Sequence, residues 1–227
     1  MKIIGLSGGI ASGKNFIAEI FAKNGAAIFD ADAEVHKMFE GDEALILKVG
    51  KAFPESLQEE EKNAQNIKMA SVKNSFSKKE NLSSQKFSRK IINRKILGKI
   101  VFSDAEKLLI LEKIIHPIVR KKYDEFLRKS QQEKRKFVVL NIPLLLEKQG
   151  YKCDKIIAII VPPSIQKRRF FARKKNESQQ ELEKKFKRIV KFQLSNKERK
   201  EKSDYVVNTR FSKAQTIKAV KEILQNL

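Results

Sequence analysis

At 227 residues the chain is long enough for one sizeable α/β domain with room for a small inserted subdomain, and too long to be a minimal binding module. Its net charge of +22 draws anions, whether phosphate esters, nucleic acid or an acidic membrane face, but lysine is spread through nearly every segment, so anion recognition and compositional bias both account for it. Cys153 stands alone, which excludes an intrachain disulfide and a multi-cysteine metal site, and with no signal peptide in residues 1–6 and no apolar run near ~18 residues, a soluble cytoplasmic protein is expected.

Ile3-Ile4-Gly5-Leu6 predicts a short strand over residues 2–6. Directly after it stands Gly8-Gly9-Ile10-Ala11-Ser12-Gly13-Lys14-Asn15, a G-x-x-x-x-G-K pattern. Glycines at the two ends let the backbone curl until successive N–H groups converge on an anion. Lys14 adds a mobile positive charge for the β- and γ-phosphates. Phe16, Ile17, Ile20 and Phe21 follow at helical spacing, so strand, loop and helix stand in the order that phosphate binding needs. The last position of such a loop ordinarily carries Ser or Thr, whose hydroxyl ligates Mg²⁺; here it is Asn15. A plain glycine turn before a helix is the alternative.

Asn24-Gly25 ends that helix near Lys23, and Ala26-Ala27-Ile28-Phe29 predicts a second strand. It stops at Asp30-Ala31-Asp32, at the sheet edge that lines the ligand crevice of open α/β folds. Asp30 and Asp32, two apart, are expected to share one face of this strand. A carboxylate there accepts the proton of a hydroxyl attacking the γ-phosphate. Either aspartate, Asp30 more than Asp32, also suits the cap of a helix beginning near Ala33.

From about 33 to 130 the pattern is mostly helical. Residues 55–86 are polar, with Glu59-Glu60-Glu61 and few large apolar groups, and read as a solvated or partly disordered insertion in preference to a binding segment. Apolar periodicity returns with Ile91, Ile92, Ile96, Leu97, Ile100, Val101 and Phe102. Ser103-Asp104-Ala105-Glu106 reads as a capping box opening a helix that runs through Leu108, Leu109, Leu111 and Ile115 to His116-Pro117. Taken alone, His116 is a helix C-terminal histidine beside a chain break.

Phe137-Val138-Val139-Leu140 predicts a third strand, ending in Asn141-Ile142-Pro143-Leu144. Lys155 to Val161 is a fourth, and its unbroken apolar run suits a parallel strand covered on both faces. Pro162-Pro163-Ser164 then opens a helix carrying Gln166-Lys167-Arg168-Arg169-Phe170-Phe171-Ala172-Arg173. Arg169 and Arg173 project from one helical face. Two guanidinium forks suit a transferring phosphoryl group; a solvated basic face is the alternative. Residues 174–180 suit a lid that excludes water, and they feed a charged helix to about 201. Asp204 to Asn208 is a fifth strand and 211–227 a closing helix. The expected fold is therefore α/β, a five-stranded parallel sheet with helices on both faces and right-handed crossovers.

Further short segments add to these: Asn93-Arg94-Lys95-Ile96-Leu97 with Val101-Phe102, Leu111-Glu112 with His116-Pro117, Pro143-Leu144-Leu145-Leu146-Glu147, Arg188-Ile189 with Gln193, and Asp204 with Asn208. In this order and spacing, with Phe29-Asp30-Ala31-Asp32 and the glycine loop, they resemble the dephospho-CoA kinase family nearly end to end. The resemblance implies a P-loop kinase that uses ATP and Mg²⁺ to phosphorylate the ribose 3′-hydroxyl of dephospho-CoA, the last step of coenzyme A biosynthesis. It implies a core of about 1–32 and 133–227, an inserted helical substrate subdomain of about 33–132 and a lid of about 173–180. Asp32 would be the base, and Lys14 and Arg169 would stabilise phosphoryl charge. ATP would lie on Gly8, Gly9, Ala11, Ser12, Gly13, Lys14, Asn15 and Phe16, with Arg173 at the lid edge. Asp32, Arg94, His116, Pro143 and Leu144 would line the acceptor site, and Asn15 would meet Mg²⁺ through its amide oxygen or through water.

The implied partners are the small molecules ATP and dephospho-CoA, with no specific nucleic acid and no membrane, on a monomer or weak homo-oligomer. The chain departs from the family pattern at Asn15, at Ala11, where glycine would meet the backbone angle more easily, and in the longer, more polar stretch 55–86. A kinase for a nucleoside or nucleoside monophosphate is the alternative within the class. Outside it stands a basic nucleic-acid-binding protein, against which count the absence of Trp, only three Tyr and no nucleic-acid-reading motif.

Overall fold

The computed structural model describes residues 1–62, 87–147, 150–173 and 177–227. In chain order the elements are β1 (Lys2–Gly8), α1 (Lys14–Lys23), β2 (Ala27–Asp30), α2 (Ala31–Gly41), α3 (Glu43–Ala52), a 3-10 turn (Pro54–Ser56), β3 (Leu57–Lys62), β4 (Phe87–Ile92), α4 (Arg94–Ser103) and α5 (Ala105–Gln132). There follow β5 (Phe137–Asn141), β6 (Lys155–Ile160), α6 (Pro163–Ala172), α7 (Gln179–Lys191), α8 (Asn196–Glu201), β7 (Tyr205–Asn208) and α9 (Lys213–Gln225). Among the described residues, no helix is long and apolar enough to cross a membrane.

Five strands form one parallel sheet in the order β2-β5-β1-β6-β7. The sequence expectation of an α/β fold with a five-stranded parallel sheet holds. The middle of the sheet is deeply buried: Ile4 and Leu6 of the central strand are fully buried, with Val139, Ile157 and Ile159 beside them. α1 buries Ile17, Ala18, Ile20 and Phe21 in that cluster, and α9 adds Val220 and Ile223. The register sets Asp30 beside Asn141, Gly8 beside Ile159, and Ile160 beside Asn208, so the carboxyl ends of all five strands share one edge.

The chain divides into two compact units, one of Met1–Glu34 with Lys121–Leu227 and one of Val35–Arg120. The parallel sheet belongs to the first. In the second, Asp42 accepts the Leu45 amide at 3.0 Å to start α3, which buries Leu45, Ile46 and Val49. Asn93 caps α4 by accepting the amides of Lys95 and Ile96.

Four local expectations need correction. The polar stretch from 55 is not all loop: 57–62 pairs antiparallel with 87–92, and Ile91 and Ile92 lie in this hairpin and not in a helix. Glu59 stands opposite Lys90, so the acidic run is matched by basic residues on the facing strand. Residues 63–86 lie outside the described residues. Asp104, not Ser103, caps α5, accepting from Glu106 and Lys107, while the Ser103 hydroxyl turns back to the Ile100 carbonyl.

α5 also continues through Pro117, leaving His116 mid-helix. Leu111, Val119 and Tyr123 keep one buried stripe across the proline, and that packing outweighs the lost backbone bond. The long helix expected up to 201 is split in two. It stops at Phe192, and Ser195 restarts it with a capping box to Glu198. Residues 174–176 of the expected lid lie outside the described residues.

Candidate active site

At the end of β1 the chain turns back on itself, the Ser12 amide donating to the Gly9 carbonyl at 3.2 Å. Gly13, at φ 99°, enters α1 with no side-chain cap, so the first amides of that helix have no side-chain acceptor and face an incoming anion. Ala11 sits at φ 55°, a left-handed angle that costs a non-glycine residue about 1 kcal/mol. Its buried methyl packs with Phe170 and Leu182 on the two helices that follow β6, which offsets that cost. Two glutamine side chains close on Gly9: a Cβ there would lie 2.5 Å from Gln166 Nε2 and 3.1 Å from Gln193 Oε1, and those side chains would have to shift.

Lys14, first residue of α1, folds over the loop and donates from Nζ to the Gly8 carbonyl at 2.6 Å. Burial, followed by the charge of Arg199, lowers its pKa to about 8, against the pull of Asp32, Glu147 and Asp30. The ammonium thus has a loop carbonyl as its partner and is ready to exchange it for a phosphate oxygen.

The two aspartates do different jobs. Asp30 ends β2; its Oδ1 accepts the Ala33 amide at 2.9 Å, closing the first turn of α2, and its Oδ2 accepts Asn141 Nδ2 at 2.6 Å. It is the cap. Asp32 is not on the strand, as the sequence suggested, but in the first turn of α2, and its side chain makes no hydrogen bond to another described residue. Solvent reaches Asp32, yet enough protein surrounds the carboxyl that burial is the leading cause raising its pKa. Asp30 pushes in the same direction, and Lys14 opposes both. A carboxylate with raised basicity near a phosphate loop can take a proton from a hydroxyl.

Asn15 is exposed, and its Oδ1 accepts Asn141 Nδ2 at 3.2 Å, the same amide that reaches Asp30. Arg169 donates from Nη1 to Thr209 Oγ1 at 3.0 Å and from Nη2 to the Thr209 carbonyl at 2.6 Å. Thr209 in turn donates to the Ser12 carbonyl at 2.6 Å, which ties the arginine to the back of the loop. Arg173 ends α6 and is exposed, as is Pro143. Leu144 is half-buried at φ 55° in the loop after β5. The structure therefore brings Lys14, Asn15, Asp30, Asp32 and Asn141 to one sheet edge. Arg94 and His116 belong to the other unit, both exposed. There Arg94 lines a cavity of about 320 Å³ with His36, Phe39, Arg89 and Ile91.

A family model described as dephospho-CoA kinase matches residues 2–85 and 68–214. A dephospho-CoA kinase of Bartonella quintana is 35% identical over all of this chain and 98% of its own length, and one of Bartonella henselae 33% over all of both. The chain belongs to the dephospho-CoA kinase family. Among solved structures, a dephospho-CoA kinase from Campylobacter jejuni matches with TM-score 0.60 at 26% identity, over 99% of this chain and 96% of its own. A Thermus thermophilus protein shares the fold with TM-score 0.71 at 24% identity, over 100% and 97%. Membership of the dephospho-CoA kinase family makes the chain a P-loop phosphotransferase with an alcohol acceptor, and the P-loop implies use of ATP.

Beyond the candidate site residues named from the sequence, Asn141, Thr209, Arg199 and Gln193, the last of these quoted only as part of a family-like segment, contact the loop or its flanking residues. Asn141 did leave a signal: a polar residue closing an otherwise apolar strand at the crevice edge. Arg199 left none, being one of 49 basic residues.

Proposed function

We propose that this chain transfers the γ-phosphoryl group of ATP to the ribose 3′-hydroxyl of dephospho-CoA, giving CoA and ADP. The observation that carries the reading is Asp32, unpaired and raised in basicity within electrostatic reach of Lys14, on a chain aligned with dephospho-CoA kinases over its full length. The loop amides other than those of Ile10 and Ser12, which already have acceptors, bind the phosphates, and Lys14 leaves Gly8 to follow the charge that develops on them. Asp32 accepts the hydroxyl proton as the oxygen bonds to the γ-phosphorus and the bond to ADP breaks. Arg169 on the helix after β6 and Arg173 at its C-cap are assigned to the phosphoryl charge. Arg94, His116, Pro143 and Leu144 are assigned to the acceptor.

The donor set suits Mg²⁺. Asn15, Asp30 and Asp32 offer only hard oxygens, and Mg²⁺ keeps most of its shell as water and phosphate, so a cluster of three acidic or histidine ligands is not needed. Asn15 would hold the ion, with its remaining lone pair or through water, and the ion neutralises phosphate charge. Asn141 orients the Asn15 oxygen.

The test is incubation of the pure protein with ATP and dephospho-CoA, read by mass for CoA, beside adenosine and nucleoside monophosphates as competing acceptors. CoA is expected as the preferred product. No CoA with either Mg²⁺ or Mn²⁺ would overturn the proposal, and preferred phosphorylation of a nucleoside would replace it with the nucleoside-kinase alternative.

A further inference from the structure

A set of polar contacts made by Ser7, Glu147, Gln193 and Arg199 adjoins the phosphate loop. Arg199 on α8 is only 2% exposed, among the largest fully buried side chains in the protein. It donates from Nη1 to Ser7 Oγ at 2.6 Å, and from Nη2 to Glu147 Oε1 and to the Leu194 carbonyl, both at 3.1 Å. Glu147 Oε1 also accepts the Leu194 amide at 2.9 Å. One buried ion pair therefore pins both the end of β1 and the turn between α7 and α8. Gln193 occupies that turn. Its Oε1 accepts the Ile10 amide at 2.9 Å, inside the phosphate loop, and lies close against Gly9.

A buried pair of this kind is weak evidence for stability, because apolar residues of the same volume often serve as well. Its value here is geometric. The Ile10 amide directly follows Gly8-Gly9, where the backbone has no side chains of its own to restrain it. Gln193 gives it a fixed acceptor, and the fixed acceptor sets the curvature on which the neighbouring amides depend.

We propose that Gln193 is a positioning residue for phosphoryl transfer, holding the Ile10 amide so that the loop is preorganised for the nucleotide phosphates, and that Glu147 and Arg199 hold Gln193 in place. The inference deepens the kinase reading and rests on it. It acts on one substrate only: nucleotide binding depends on the loop, and acceptor binding does not.

Gln193→Met keeps the length of the side chain and removes the acceptor. The expected result is a rise of about tenfold in KM for ATP and in Kd for a non-hydrolysable ATP analogue, the worth of one hydrogen bond. KM for dephospho-CoA and the melting temperature of the nucleotide-free protein stay at wild-type values. Glu147→Gln, which keeps an oxygen for the Leu194 amide but unbalances Arg199, shifts the same two nucleotide constants in the same direction. Should it not fold, the Gln193 arm decides alone. Analogue affinity unchanged in Gln193→Met, or both substrates' KM values rising together, overturns the inference while the kinase reading stands. A wild-type protein that binds no nucleotide overturns the kinase reading and this inference with it.

Discussion

Replacing Lys14 with methionine is expected to abolish turnover and, near neutral pH, to make the nucleotide-free protein more stable. Burial and the charge of Arg199 lower the Lys14 pKa from 10.5 to about 8, which corresponds to about 3 kcal/mol of unfavourable energy for the folded, charged form. Below pH 8 the lysine is protonated both folded and unfolded, and the cost is borne in full. As pH rises from 8 towards 10.5 the folded protein gives up the proton first, and the cost fades. Methionine escapes it at every pH but loses the bond to the Gly8 carbonyl, worth about 1 kcal/mol. The variant should therefore lead by about 2 kcal/mol at pH 7 and by almost nothing near pH 10. Urea unfolding of both proteins across that range, taken as a difference, cancels the titration of the many other lysines. A difference that does not change with pH, or a less stable variant at pH 7, would refute the burial argument.

Lys14 and Asp32 are expected to set the pH dependence of catalysis. In kcat/KM, activity should fall on the alkaline side as Lys14 loses its proton near pH 8, and on the acid side at a pH above the usual carboxylate value, as Asp32 gains one. A flat profile between pH 4 and pH 9 would remove both residues from the free enzyme's essential groups. Asp32→Asn should cut turnover by about three orders of magnitude, within the range of a lost general base, while leaving the affinity for an ATP analogue near wild type. Retained turnover would leave Asp32 as a helix-start residue alone. Asn15→Ser should lower the Mg²⁺ concentration that gives half-maximal rate, since a hydroxyl replaces an amide oxygen already engaged by Asn141; an unchanged requirement places Asn15 outside the metal shell.

The parts of the fold that could be read from the chain are those whose cause is local. Unbroken apolar runs such as Ile156–Ile160 give a strand covered on both faces, and Gly8 to Lys14 give a loop whose geometry is written in its own glycines. Paired strands far apart in sequence are harder. Leu57–Lys62 looks like a solvated acidic run until Phe87–Ile92 is set against it, because what makes it a strand is the partner. The site divides in the same way. Asp32 and Lys14 stand in recognisable motifs. Asp30 and Asp32 look alike in sequence, and only the Ala33 amide and Asn141 show which of them is spent on capping. Gln193, Arg199 and Thr209 carry ordinary side chains in ordinary helices and turns, and their contacts with residues 7–12 come only from the folded chain.

Those contacts also bear on the order in which the protein is made. Ser7 is held by Arg199 and Ser12 by Thr209, at separations of 192 and 197 residues, so the phosphate loop is completed by side chains synthesised long after it. A nascent chain halted ahead of Gln193 carries every glycine of the loop and the lysine, yet lacks the Gln193, Arg199 and Thr209 side chains that brace it. Such long closures are slow to form. A loop able to bind nucleotide thus waits on residues 193–209 and marks a chain in which they have docked.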